Sequence, residues 1–86
     1  MSKREIEVGS YDPKEGMTFN WVYGFEIEVH QEGESVIIRA NSAGLTSLAQ
    51  HLMTLAQIGV PSGNHVHLDS DRELEEGSLD LILERT

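Results

Sequence analysis

The period of the hydrophobic pattern changes near residue 41, and that change limits the possible folds. Before it, "FEIEVH" alternates strictly, with Phe25, Ile27 and Val29 on one side and Glu26, Glu28 and His30 on the other. This is the pattern of a half-buried strand. "SVIIRA" follows a polar turn, "QEGE", and places Val36, Ile38 and Ala40 on one face. The two segments are expected to pair as an antiparallel hairpin. After residue 41, Leu45, Leu48, Ala49, Leu52, Leu55 and Ala56 recur at helical spacing and form one apolar stripe. Asn41 or Ser42 supplies an N-cap, and Gly59 and Pro61 stop the helix. The helix is therefore expected over about 42–58.

Alternation then returns. "HVHLD" (65–69) sets Val66 and Leu68 against His65, His67 and Asp69, and "LDLILER" (79–85) sets Leu79, Leu81 and Leu83 against Asp80, Ile82 and Glu84. Ahead of the hairpin, "REIEVG" reads as a short first strand, "SYDPKEGM" as a turn, and "TFNWVYG" as strand-like. Strand, strand, helix, strand, strand is an α+β order. The simplest assembly is a mostly antiparallel sheet of four to five strands with the helix packed on one face. A crossover from 35–40 to 64–69 would be right-handed if those strands were parallel neighbours. Eighty-six residues make a single domain, 1–86, with one modest core.

Charge narrows the function. Fifteen acidic residues against six basic ones give a net charge of −9. Such a chain repels nucleic acid, whose binding depends on neutralising phosphates, and disfavours anionic membranes. It attracts a basic partner, although acidity also serves solubility alone. There is no cysteine, hence no disulfide or thiolate metal site. No apolar stretch follows the basic start as a signal peptide requires, and none approaches the ~20 residues of a membrane span. A cytoplasmic location is expected.

Two readings compete for the polar residues. On a strand, His65 and His67 share a face, and Asp69 could complete a three-ligand metal site. Glu26, Glu28 and His30 would add to that site only if their strand were its neighbour. The alternative is a solvent-facing set bonded to nearby carboxylates or to a partner. Asp69, Asp71, Glu73 and Glu75 alternate along an acidic loop, but Leu74 stands where a calcium loop needs glycine. There is no nucleophile elbow, no cysteine nucleophile and no phosphate-binding glycine loop before a helix. No enzyme and no cofactor is therefore expected. His51, at the edge of the helix stripe, is expected to be a partly covered structural histidine. Trp21 and Tyr23, two apart, are expected on a shared strand face, as core or as interface anchors.

Residues 39–85 resemble bacterial immunity family 32 of polymorphic toxin systems. The matching features are "AN" at Ala40–Asn41 with "GL" at Gly44–Leu45, and the "LA…L…LA" helix. They continue with "H-x-HLD" at 65–69 and "LE-x-GS" at 74–78 before an apolar strand. The resemblance implies a small, non-catalytic α+β protein of the bacterial cytosol that neutralises a cognate toxin. It brings no established active residues with it. With the charge, it makes His65, His67, Asp69, Asp71, Glu73, Glu75, Glu26 and Glu28 the expected contact with a basic toxin. A homo-oligomer joined through an edge strand is a further expectation.

Overall fold

The computed structural model describes residues 2–86. Strand β1 (Ile27–Glu32) and strand β2 (Ser35–Ala40) form the expected hairpin, paired Ile27 with Ala40 through Glu32 with Ser35. The two-residue turn places Gly33 at φ +58°, the first central position of a type II′ turn, where glycine alone is unstrained. Ile27 and Val29 are fully buried among Leu48, Leu68 and Leu74. Trp21, Phe25, Ala40, Val66 and Leu81 pack around that cluster.

Helix α1 spans Ser42–Leu55. Asn41 fixes its start. The Asn41 Oδ1 accepts from the backbone N–H of Gly44 at 2.8 Å and of Glu26 at 3.0 Å, while Nδ2 donates to the Gly24 carbonyl at 2.9 Å. One side chain thus caps the helix and ties it to the entrance of β1. Gly44 is where helix and hairpin touch: a Cβ there would lie 2.5 Å from the Glu26 carbonyl oxygen. The helix ends three residues before the expected 58. The carbonyls at and just past its end are taken from outside, the Arg85 guanidinium donating to those of Leu55 (2.8 Å) and Gln57 (3.2 Å). A cation at this end also complements the helix dipole.

Strand β3 (His65–Leu68) and strand β4 (Leu81–Glu84) form a second antiparallel pair. Its open end is a glycine bulge. Gly63 (φ +92°) donates to the Arg85 carbonyl and Arg85 donates to the Asn64 carbonyl. The expected sheet of four to five strands is corrected to two sheets of two strands, β1–β2 and β3–β4. Residues 75–79 explain the gap. Glu75 and Leu79 donate to the carbonyls of Ile27 and Val29 at 2.8 Å each, and Ser78 Oγ accepts from the Val29 N–H at 3.1 Å. A turn intervenes, with Ser78 N–H on the Glu75 carbonyl and Gly77 at φ +86°. The segment therefore satisfies the edge of β1 without running as a strand. Strands 35–40 and 65–68 are not neighbours, so the crossover does not arise.

Neither expected strand forms in residues 2–24, whose one ladder contact is the bridge between Asp12 and Gly16. This segment is strapped to α1 by side chains. Gln57 donates to the Gly9 carbonyl and accepts from the Tyr11 N–H, each at 2.9 Å. Gln50 donates to the Glu7 carbonyl, and Ser47 Oγ accepts from the Val22 N–H. Trp21 and Tyr23 part company: Trp21 packs on Phe25 and His51, while Tyr23 is fully exposed in a turn.

Candidate functional site

The tether between residues 75–79 and β1 brings together acids that are far apart in sequence. Glu26, Glu28 and Glu75 line one shallow depression of about 130 Å³ with Arg39, Ala40 and Asn41. Arg39 lies directly opposite Glu28 in the hairpin ladder. Further along β1, His30 stands between two carboxylates, Nδ1 3.2 Å from Glu28 and Nε2 3.4 Å from Glu32. These residues point outward because Ile27 and Val29 point into the core, as strand geometry requires.

The acidic loop is held from within. Asp69 accepts on its side chain from the Asp71 N–H at 3.0 Å, and on its carbonyl from the N–H groups of Arg72 and Leu74. Such local bonding is the usual task of an aspartate entering a turn. Leu74 is buried in the core and pins the loop. Asp71, Glu75 and Glu76 are left exposed, and Glu73 is half-buried.

His65 and His67 share the exposed face of β3, with Leu68 buried and Val66 half-buried behind them. They do not converge with Asp69. His65 Nδ1 lies 3.1 Å from its own turn's Gly63 carbonyl, and His67 Nε2 lies 3.0 Å from Asp80 Oδ2 across the hairpin. With the Asp69 carboxylate turned into the loop, the three-ligand arrangement is not formed. Among the described residues no group of three or more His, Asp or Glu side chains is placed to hold a metal ion. Glu26 and Glu28, on the other hairpin, do not complete one.

Three features escaped the sequence reading. Asp80, rather than Asp69, is the carboxylate partner of His67, which depends on a register no pattern specifies. Asn41 links helix to hairpin through a residue that reads only as a cap. His51 is fully buried rather than partly covered. Its ring meets Phe19 and Trp21 edge-on at centroid distances of 5.2 and 4.3 Å, and neither ring nitrogen has a hydrogen-bond partner. Burial lowers its pKa below the ordinary histidine value, because a charged imidazole would be desolvated there.

The family model for Immunity protein 32 matches residues 35–86, which include β2, α1, β3, β4 and the acidic loop. The chain belongs to the Immunity protein 32 family. An immunity-protein family implies a toxin-inhibiting role and a cognate toxin as partner. The depression thus joins Glu75, inside the part that matches Immunity protein 32, to Glu26 and Glu28, outside it. No curated protein and no solved structure shows significant similarity to the chain. No described helix is long and apolar enough to cross a membrane.

Proposed function

We propose that this protein is a non-enzymatic bacterial immunity protein that inhibits its cognate toxin by direct contact, in the cytoplasm of the cell it protects. The observation that carries the reading is the match to Immunity protein 32 over more than half of the chain. The contact is assigned to Glu26 and Glu28 at and beside β1 and to Asp71, Glu75 and the half-buried Glu73 of the loop, with His65, His67 and Asp69 at the loop's base. A toxin with a basic surface is the complementary partner for a body of charge −9. Complementary charge speeds encounter and fixes orientation more than it adds affinity. Neither nucleic acid nor a membrane is a partner in this reading.

The test is co-expression with the product of the adjacent gene, followed by titration calorimetry with the purified toxin. Protection of the host and a one-to-one complex are expected. The triple variant Glu26→Gln, Glu28→Gln, Glu75→Gln should keep its melting temperature, bind roughly tenfold or more weakly, and show a weaker salt dependence. Unchanged binding by that variant would remove the acidic depression from the contact. An adjacent product that is neither toxic nor bound would remove the toxin assignment itself.

A further inference from the structure

We infer that the outer edge of β2 is the interface for a second copy of this chain, paired antiparallel to it about a two-fold axis. The hairpin geometry exposes the necessary groups. A two-residue turn closing on Glu32 and Ser35 makes Glu32–Ser35, His30–Ile37 and Glu28–Arg39 the hydrogen-bonded pairs. The intervening residues must aim their backbone groups away from the partner strand. On β1 they do, since the outward carbonyls of Ile27 and Val29 are those taken by Glu75 and Leu79. On β2 the equivalent groups belong to Val36 and Ile38, and no backbone or side-chain group among the described residues bonds to them from outside. Their side chains are also uncovered, 65% and 43% exposed. A six-residue edge strand with free backbone groups and exposed apolar side chains at Val36 and Ile38 is a template for another strand.

Charge selects the occupant. The stretch from Ser35 to Leu68 contains no Asp or Glu, although the chain has fifteen. Strand β2 itself carries one charge, Arg39. A basic toxin would meet no complementary acid on this edge, whereas a second copy avoids acid-against-acid contact there. Pairing centred on Ile37 is self-complementary. Val36 meets the partner's Ile38 twice on one face, and Ile37 meets its own counterpart on the other, pairs that stabilise sheets. The same register brings the partner's Glu34 opposite Ala40, beside the N-terminus of α1, whose first turn has no acidic residue. A carboxylate is favourable there. The result would be one four-stranded sheet built from two hairpins.

Sedimentation velocity of the untagged full chain, over a wide concentration range at low and high salt, tests this. The mass should rise from 9.6 kDa towards twice that value. Association should tighten at high salt, where repulsion between two bodies of charge −9 is screened. Val36→Lys should weaken the dimer roughly tenfold or more without lowering the melting temperature, while Ile82→Lys on β4 should leave it intact. Hydrogen exchange needs no variant: the Val36 and Ile38 amides should exchange fast in dilute monomer and slowly in dimer. A monomer under all conditions overturns the inference. So does a dimer broken by Ile82→Lys and not by Val36→Lys, or a Val36→Lys chain of unchanged mass that no longer binds toxin.

Discussion

The face of α1 turned inward carries Gly44, Ser47, Leu48, His51, Thr54 and Leu55, whereas Leu45, Leu52 and Met53, each more than half exposed, look outward. The inward face is the more polar of the two, and of the six residues of the apolar stripe only Leu48 and Leu55 are buried. Two causes are visible. Close approach to the hairpin demands the smallest residues, and Gly44 admits the Glu26 carbonyl where a side chain would not fit. The polar hydroxyls also bring their own partners: Ser47 Oγ donates to the Ala43 carbonyl at 2.8 Å, and Thr54 Oγ1 to the Gln50 carbonyl at 2.6 Å. A hydroxyl satisfied within its own helix is cheap to bury. The apolar stripe is instead shared between core and surface.

The largest effect is expected where the inward face is tightest. Gly44→Ala would set its Cβ 2.5 Å from the Glu26 oxygen, 2.9 Å from Ile27 Cγ1 and 3.0 Å from the Ala40 Cβ. The oxygen belongs to a backbone that Asn41 holds in place, so relief requires parting helix from hairpin. A loss of about 3 kcal/mol in urea unfolding is expected, at the upper end for overpacking. Leu48→Ala, which opens a cavity in the central cluster, should cost about 2–3 kcal/mol. If Gly44→Ala were neutral, contact with the hairpin would not be what sets the inward face.

His51 makes the same comparison sensitive to pH. Its folded-state pKa lies below its unfolded one, because burial among Phe19 and Trp21 opposes the charge. The unfolded chain therefore binds the proton more readily. The stability of the neutral, buried ring is complete above the unfolded value of about 6.5. It declines as pH falls below that value towards the folded pKa. The slope is at most about 1.4 kcal/mol per pH unit. Thermal melts of wild type and His51→Leu between about pH 5.5 and 7.5 should diverge, with wild type losing stability on acidification relative to the variant. Parallel profiles would mean that the buried ring does find a partner.

The strap over this face gives a smaller effect. Ser47→Ala removes the acceptor of the half-buried Val22 N–H. It should cost about 1 kcal/mol and shift the emission of the single tryptophan, Trp21, to the red as the segment loosens. Unchanged emission would show that Phe19 and Trp21 hold the strap without the hydrogen bond.

Periodicity located β1, β2, α1, β3 and β4, and Ile27, Val29 and Leu68 are indeed buried, whereas Val36 and Ile38 on the apolar face of β2 remain 65% and 43% exposed. What pattern could not supply is pairing beyond the β1–β2 hairpin. Whether β4 joins β1 depends on Gly77 and the turn at Glu75–Ser78, and the same turn decides that Glu75 meets Glu26 and Glu28. Segment 2–24 was illegible for a related reason. Its backbone is satisfied by Ser47, Gln50 and Gln57, side chains distant in sequence, rather than by a ladder. The outward direction of Glu26, Glu28, His65 and His67 was legible from alternation, because it follows from burial of their neighbours.

The smallest effect belongs to the outward face and discriminates best between counting apolar residues and measuring their burial. Leu52 lies in the stripe as surely as Leu48 does, yet it is 53% exposed against 8% for Leu48. It borders a shallow apolar groove with Leu55, Ala56, Ile82 and Leu83 rather than the central cluster. Burial free energy follows the area removed from water, so most of the side chain's worth is unrealised in the monomer. Leu52→Ser should therefore cost less than about 1 kcal/mol, near the range of ordinary surface substitutions, in the same urea titration that gives Leu48→Ala several times more. A loss equal to that of Leu48→Ala would mean that the groove is closed in solution and that the stripe is core along its whole length.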